Sequence, residues 1–307
     1  MGKSQRIIKT IRWVLGLLLV MAGLSTTWAW GAVARMAAPV AEEPQVAAQY
    51  AAWQPDQAEH ATLFRSTDEG RTWQPLVLPA EAEPVVWADD GGKRVAVSTG
   101  DGSVLWSNDL GETWSVATRG LPVSSLVWDD DGGLYLGTSG EGIYRLTADG
   151  TLLDITTTQR ELAADEIVGL SLAEGHLFAA TPSVVYQTGD RGATWTKTSL
   201  LPERATSVAA IDPQTVYVGT ATTGVYKSSD AGRTWQSAWE GLGLAAGQMV
   251  RVTALRADPS EPDVLYAAVD HLVGSTHVHA SAAGLFATVN GGASWQPLAG
   301  PSFPEAR

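Results

Sequence analysis

The sequence predicts an all-β protein made of six repeats of a four-stranded antiparallel unit, preceded by one apolar helix at the N-terminus. Three observations lead to this prediction. An eight-residue motif recurs about every forty residues. Short runs rich in β-branched and aromatic residues flank the motif and are separated by Gly, Asp and Pro, which is typical of strands joined by tight turns. A basic stretch followed by a long uncharged one opens the chain.

Composition excludes several classes of function. The 307-residue chain has 45% hydrophobic and 17% charged residues, which is typical of a folded globular protein. It has no cysteine, and this excludes disulfides, thiolate nucleophiles and Cys-ligated zinc or iron–sulfur clusters. Its formal net charge of -13 has the wrong sign for neutralising a phosphate backbone, so nucleic acid is not an expected partner. No cofactor is predicted.

The N-terminal segment is typical of an export signal or a membrane anchor. Residues 1–12 are basic without any acid, and residues 13–34 carry no charge. Such an uncharged stretch just spans the apolar layer of a bilayer, which is about 30 Å thick. The basic flank is expected to stay cytoplasmic, which places the remainder of the chain outside the cytoplasm.

Two fates of this segment stay open. We favour an uncleaved transmembrane anchor, which makes the protein a single-pass protein of the cell membrane. The alternative is secretion after cleavage near Ala34, where residues 32–34 match a small-x-small site. Residues 35–45 are predicted to form a tether, and residues 46–307 the folded body.

The motif reads hydroxyl residue, any residue, Asp or Asn, any residue, Gly, any residue, Thr or Ser, and Trp. Five copies occupy residues 66–73, 107–114, 188–195, 228–235 and 288–295. Their Asp or Asn, Gly and Trp residues are Asp68, Gly70 and Trp73; Asp109, Gly111 and Trp114; Asp190, Gly192 and Trp195; Asp230, Gly232 and Trp235; and Asn290, Gly292 and Trp295.

The spacing of the copies predicts further features. The closing tryptophans are 41, 81, 40 and 60 residues apart, so the longest gap predicts a sixth copy. Residues 146–153 keep the Thr, Asp and Gly of the motif without its Trp. The gap of 60 predicts insertions in the last repeat, at residues 241–250 and 270–283. The innermost strand of the first repeat is expected from residues 36–42 or from the segment after Trp295.

These motifs resemble the Asp-box, or bacterial neuraminidase repeat, β-propellers over roughly residues 46–300. The resemblance implies a single propeller of six four-stranded blades, with seven blades as the alternative. It also implies that each box is the hairpin between the third and fourth strands of a blade, away from the functional face. Residue chemistry predicts the same structural role, because Asp accepts main-chain N–H groups across a turn and Gly adopts positive φ. One Asp per box is too few oxygen ligands for calcium.

Enzymatic residues are not predicted. Sialidases, which share this repeat, need an arginine triad, and no Arg lies between Arg35 and Arg65. Another glycoside hydrolase would need two facing carboxylates, and Asp101, Glu141 and Asp270 are the acids expected on the functional face. Exposed turn acids are usually only solvated, so no residue is assigned a catalytic role.

Basic residues recur in the loops expected between blades: Arg119, Arg160, Arg204 and Arg251. Two interpretations stay open. Converging guanidinium groups would bind an acidic peptide tail or a carboxylated ligand. Alternatively these arginines pair locally with Glu161, Asp165, Glu166 and Glu203.

A metal site is the less favoured interpretation of the 270–283 insertion. His277 and His279 would share one face of an extended segment, but no third ligand is identifiable. We therefore predict no metal.

The predicted function is a membrane-tethered, extracytoplasmic scaffold or assembly factor that binds a protein or peptide without catalysis. The resemblance extends to photosystem II assembly factors of the Asp-box type and to sortilin-like receptors more than to true sialidases. The alternative is a carbohydrate-active protein, either a glycoside hydrolase or a sugar-binding module, that uses acids and aromatic residues of the functional face.

Overall fold

The computed structural model describes residues 28–32, 49–53, 62–67, 72–79, 84–89, 94–242, 249–258, 261–273 and 279–298. These residues form 24 β-strands and one short helix, α1 (Arg160–Ala163). The strands pair into six four-stranded antiparallel sheets, numbered I to VI along the chain. The prediction of an all-β protein with repeated four-stranded units is confirmed.

The chain divides after Gly120 into two compact units, and sheets I and II belong to the first. Sheet I holds β1 (Trp28–Ala32), β2 (Gln49–Trp53), β3 (Thr62–Ser66) and β4 (Gln74–Pro75). Sheet II holds β5 (Pro84–Asp89), β6 (Val95–Thr99), β7 (Val104–Ser107) and β8 (Ser115–Thr118).

The second unit contains the other four sheets. Sheet III holds β9 (Val123–Trp128), β10 (Leu134–Thr138), β11 (Ile143–Leu146) and β12 (Leu152–Asp154). Sheet IV holds β13 (Gly169–Ala173), β14 (His176–Ala180), β15 (Val185–Thr188) and β16 (Thr196–Lys197). Sheet V holds β17 (Ala205–Ala210), β18 (Val216–Thr220), β19 (Val225–Ser228) and β20 (Gln236–Ser237). Sheet VI holds β21 (Met249–Ala257), β22 (Leu265–Val273), β23 (His279–Thr288) and β24 (Gln296–Leu298).

The first strand corrects two predictions. Strand β1 pairs with β2 from Trp28 opposite Trp53 to Ala32 opposite Gln49, so the expected origin of this strand, in residues 36–42 or after Trp295, is wrong. The prediction of an apolar helix that continues to residue 34 is also wrong at residues 28–32, because these residues form β1. Alternating aromatic and small residues suit a pleated strand, and pairing with β2 satisfies the main-chain polar groups. Residues 1–27 and 33–48, with the rest of the predicted helix and the tether, lie outside the described residues.

The core lies between the faces of consecutive sheets. One cluster joins Tyr217 and Val225 of sheet V to Leu255, Phe286 and Trp295 of sheet VI. Similar clusters join sheets III and IV, sheets IV and V, and, in the first unit, sheets I and II. The second strands β6, β10 and β18 are buried along their whole length, whereas β16 and β20 at the sheet edges are exposed. Each repeat therefore buries its apolar face only by stacking on a neighbour, as in other repeat proteins.

Hydroxyl side chains connect the first strands of neighbouring sheets in the second unit. Ser125 accepts from the main-chain N–H of Leu170 at 2.9 Å, and Ser171 accepts from that of Ala210 at the same distance. Thr206 donates to the carbonyl of Val252 at 2.5 Å. These bonds satisfy main-chain groups on strands that have no further strand beside them in their own sheet.

The last repeat contains the predicted insertion at residues 270–283 as a longer hairpin. Strands β22 and β23 pair from Leu265 opposite Thr288 out to Val273 opposite His279. Residues 243–248, within the other predicted insertion, and residues 274–278 lie outside the described residues. No helix among the described residues is both long and apolar enough to cross a membrane.

Candidate functional site

Each sheet has two ends with different chemistry. The hairpin between the third and fourth strands carries the box, and we call this the box end. Because the strands are antiparallel, the turn between the second and third strands lies at the opposite end, together with the connection to the next sheet. We call this the loop end.

The complete boxes that the structure describes form closely similar sets of hydrogen bonds. In sheet V, Ser228 donates to Oδ1 of Asp230 at 2.8 Å, and the N–H of Gly232 donates to Ser228 at 2.8 Å. Thr234 donates to Asp230 twice, through its main-chain N–H at 2.9 Å and its hydroxyl at 2.7 Å. The boxes of Asp109 and Asp190 repeat this pattern, and that of Asn290 differs in one bond, in which Nδ2 of Asn290 donates to the Ser294 hydroxyl. Asp68 and Gly70 lie outside the described residues.

These bonds hold the box aspartates in their charged form. Donation by the Thr113 hydroxyl and N–H, then by Ser107, lowers the pKa of Asp109 to about 2. The equivalent donors of Thr194 and Thr188 lower the pKa of Asp190 to about 2, and those of Thr234 and Ser228 do the same for Asp230. A carboxylate that accepts three bonds from its own hairpin and has a pKa of about 2 stays ionised near neutral pH and is therefore a poor proton donor.

The boxes of sheets IV, V and VI also contact the sheet before them. The indole N–H of Trp195 donates to the carbonyl of Ile155 at 3.1 Å, and that of Trp295 donates to the carbonyl of Ala238 at 2.7 Å. Gly232 has φ of 78°, and a Cβ there would lie 2.1 Å from the side chain of Thr198 on the preceding sheet. Residues 146–153 form the shortened sixth hairpin, in which Thr147 donates to Asp149 and the N–H of Thr151 donates to Asp149 at 3.1 Å.

The loop-end turns close differently. A buried Thr at the end of the second strand donates to a carbonyl across the turn in four sheets: Thr99, Thr138, Thr181 and Thr220. In sheet VI the corresponding residue is Val269, which has no hydroxyl, and the hairpin continues instead. Asp270 follows it in β22 and is 6% exposed.

The three acids considered for catalysis have separate positions. Asp101 accepts from Thr99 and Ser103, and these bonds lower its pKa below the usual range, so it serves its own turn. Glu141 is exposed in the turn of sheet III, and Asp270 lies in β22. Asp101 belongs to the first unit and the other two acids to the second. Among the described residues no group of His, Asp and Glu could hold a metal ion; His279 begins β23, and His277 is not among them.

Two of the four predicted rim arginines flank one turn of sheet V. The N–H of Ala221 donates to the carbonyl of Arg204 at 2.9 Å. On the other side, the N–H of Val250, the neighbour of Arg251, donates to the carbonyl of Thr222 at 2.9 Å. Arg204 and Arg251 therefore lie on either side of this turn, and we call these two residues the arginine rim.

The arginine rim is partly neutralised by nearby acids. Arg204 forms an ion pair with Glu166 at 2.9 Å, and the two side chains are 56% and 48% exposed. Arg251 is half-buried in β21, directly opposite Asp270 on β22. Glu203 braces the turn by accepting from Thr222 at 3.1 Å and from the N–H of Arg204 at 3.0 Å. Hydrogen bonds hold the main chain of Arg204, whereas the ion pair of its guanidinium with Glu166 is open to solvent.

The other two arginines lie elsewhere. Arg160 begins α1, and its neighbour Glu161 binds Lys197 on β16 at 2.8 Å, a bond that lowers the pKa of Glu161. Arg119 is exposed in the first unit. Leu200 is 75% exposed, in the loop that leads to Arg204.

Sequence reasoning missed a charged network at the box end. Arg145 donates to Asp129 at 2.6 Å and to Asp131 at 2.8 Å, and Arg191 of the next box also pairs with Asp131 at 2.8 Å. The sequence signal for this network is Arg145 in the third strand of a sheet whose first turn is rich in Asp. This network joins sheets III and IV and strengthens the end that carries the boxes.

Comparison with known proteins supports the repeat assignment. Residues 147–258 match the model of a family described as photosynthesis system II assembly factor YCF48. A structure of YCF48 bound to D1 peptide is 14% identical with a TM-score of 0.52, covering 78% of this chain and 74% of that chain. YCF48 from Cyanidioschyzon merolae is 14% identical with a TM-score of 0.53, covering 78% and 76%.

A nidogen/laminin complex is 15% identical with a TM-score of 0.51, covering 61% of this chain and 74% of that chain. No curated protein sequence matches the chain significantly. The resemblance to Asp-box β-propellers of the photosystem II assembly-factor type is confirmed.

Proposed function

We propose that the chain is a non-catalytic β-propeller scaffold that binds a protein or peptide at its loop end. One observation carries this proposal. The segment that matches the assembly-factor family, residues 147–258, contains sheets IV and V with their loop ends and both residues of the arginine rim. One similar propeller structure holds a D1 peptide, which supports peptide binding by a protein of this fold.

The chemistry of the arginine rim suits an acidic peptide. Exposed ion pairs such as Arg204 with Glu166 contribute about 0 to 1 kcal/mol, so an incoming carboxylate exchanges with Glu166 at little cost. A guanidinium binds a carboxylate through two parallel N–H donors, which also fixes the direction of the ligand. The exposed Leu200 offers an apolar contact in the same loop.

The proposal includes the arrangement and location of the body. Six four-stranded sheets suit one six-bladed propeller. A basic flank followed by uncharged residues supports anchoring of the body at the outer side of a membrane. Protease treatment of right-side-out vesicles tests this location, because an extracytoplasmic body is digested and a cytoplasmic one is protected.

Binding of a defined peptide tests the function. The probe is a short fluorescent peptide that ends in Leu-Asp-Glu with a free carboxylate, and its control is the same peptide with a C-terminal amide. We expect Arg204→Ala combined with Arg251→Gln to weaken binding of the acid form at least about tenfold, since a charge-assisted hydrogen bond is worth about 1.5 to 3 kcal/mol. The matched control is Arg233→Ala, an exposed arginine at the box end of sheet V.

Two results would count against the proposal. If the double variant and the parent protein bind the acidic peptide with equal affinity, the arginine rim is not part of the binding site. Glycan binding on an array, together with no binding of the acidic peptide, would favour the carbohydrate-active alternative. Circular dichroism in the tryptophan region verifies that each variant is folded.

A further inference from the structure

The box of sheet VI contains an Asn-Gly pair that no other copy of the motif has. Asn290 stands where the other complete boxes have Asp, and Gly291 follows it. Asparagine followed by glycine is the pair in which the main chain most readily attacks a side-chain amide, because glycine has no Cβ to hinder the approach. Asn108, the only other asparagine of the chain, is followed by Asp109.

In the folded box, hydrogen bonds engage both reacting groups. Oδ1 of Asn290 accepts from the Thr288 hydroxyl at 2.7 Å and from the N–H of Ser294 at 2.9 Å. Nδ2 of Asn290 donates to the Ser294 hydroxyl at 2.9 Å. The attacking nitrogen is that of Gly291, and its N–H donates to the carbonyl of Asp263 at 2.9 Å. Reaction requires Gly291 to leave that carbonyl and the amide to leave Thr288 and Ser294.

We propose that Asn290 is a latent deamidation site that reacts when the sixth box opens and is protected while the box is closed. In the reaction, the nitrogen of Gly291 bonds to Cγ of Asn290, the Cγ–Nδ2 bond breaks, and ammonia leaves with the proton of the Gly291 N–H. Water then cleaves the cyclic imide. Cleavage at Cγ leaves aspartate, and cleavage at the main-chain carbonyl leaves isoaspartate.

The fold discriminates between the two products. Aspartate accepts the same donors as Asp230 does in sheet V, because Ser294 offers a main-chain N–H and a hydroxyl where Thr234 offers them to Asp230. Isoaspartate adds one carbon to the main chain before Gly291. The carbonyl of Gly291 accepts from the Tyr217 hydroxyl at 2.9 Å and from Lys227 at 3.3 Å, and the longer main chain displaces it from both. Only the aspartate product re-forms the junction with sheet V.

Deamidation of the full-length protein measures the protection. The protein is incubated in mildly alkaline buffer with and without denaturing urea, and peptide mapping by mass spectrometry separates the asparagine, aspartate and isoaspartate forms. We expect the native rate at Asn290 to be at least about tenfold below the rate in urea, because the box must open locally before reaction. Asn108 provides an internal reference in the same samples.

Variants test which bonds give the protection. Ser294→Ala removes a hydroxyl that holds the amide, and we expect it to raise the native rate while leaving the rate in urea unchanged. The matched control Thr234→Ala removes the equivalent hydroxyl from the box of sheet V and should leave Asn290 unaffected. Ser294→Thr keeps the hydroxyl and should keep the protection, even where Ser294→Ala weakens the fold.

The proposal is overturned if native and urea rates are equal at Asn290. It is also overturned if Thr234→Ala accelerates the reaction as much as Ser294→Ala does. The Asn290→Asp variant should melt at the temperature of the parent protein or above, and a clear fall would contradict the claim that the sixth box accepts aspartate.

Discussion

The two ends of each sheet are built from different kinds of interaction. At the box ends, the hydroxyl residue, the Asp or Asn, the Gly and the Thr or Ser of each complete described box bond to one another, and Trp195 and Trp295 bond to the preceding sheet. At the loop end of sheets IV and V, ion pairs are exposed and the connections vary in length and sequence. The difference indicates that the box ends maintain the fold, and that the loop ends are available for binding.

The difference between the box ends and the loop ends has an energetic consequence. The bond from the Gly232 N–H to Ser228 and that from Trp295 to Ala238 are buried, and a buried hydrogen bond costs more to lose than an exposed ion pair does. Substitutions at the box end are therefore expected to change stability, and substitutions at the loop end to change binding.

The largest expected effect is at Trp295, which is 3% exposed and donates to Ala238. Trp295→Ala should lower the free energy of unfolding by about 3 to 5 kcal/mol, because it leaves a cavity and an unsatisfied carbonyl. Leu200→Ala at the loop end should lower it by less than about 0.5 kcal/mol, since its side chain is mostly in water. Urea unfolding measures both, and similar losses would show that the two ends do not differ.

An intermediate effect is expected from acid. The folded pKa values of Asp109, Asp190 and Asp230 are about 2, below their ordinary value of 3.8. The stability they contribute is therefore present above about pH 4 and is lost as pH falls through 2. The urea midpoint should drop in this window; Asp190→Asn should make the drop smaller, and Asn290→Asp should make it larger. A urea midpoint that stays constant from pH 4 to pH 2 would show that the box aspartates do not make the protein sensitive to acid.

The smallest effect is expected at Glu166. Because its ion pair with Arg204 is exposed, Glu166→Ala should change the free energy of unfolding by less than about 1 kcal/mol. The same variant should bind the acidic peptide more tightly, since the carboxylate of the peptide no longer has to displace Glu166 from Arg204. Urea unfolding measures the change in stability, and fluorescence anisotropy measures the change in peptide affinity. A large loss of stability without tighter binding would place Glu166 among the residues that maintain the fold.

Much of the fold was predictable because the box is a local pattern. Hydroxyl, acid, glycine and tryptophan lie within eight residues, and the hairpin they form needs no distant residue to define it. The decayed copy at residues 146–153 was also found from spacing, and the structure has a hairpin there.

The candidate site was less predictable. Four arginines stood at similar sequence positions, but only Arg204 and Arg251 flank one turn, while Arg160 begins a helix in an unusually long connection. The pairing of Arg204 with Glu166 joins residues of different sheets and was one of several local partners that the sequence allowed. The origin of β1 at residues 28–32 was missed because an uncharged stretch reads as a helix or a strand until its partner is known.

The sequence by itself determined the repeat, the strands and the boxes, because these depend on side chains within a few residues of one another. Only the tertiary structure decided which arginines share a turn, and that the N–H of Gly291 donates to the carbonyl of Asp263. Such contacts join residues that are distant along the chain, and stacking of sheets on their apolar faces brings them together.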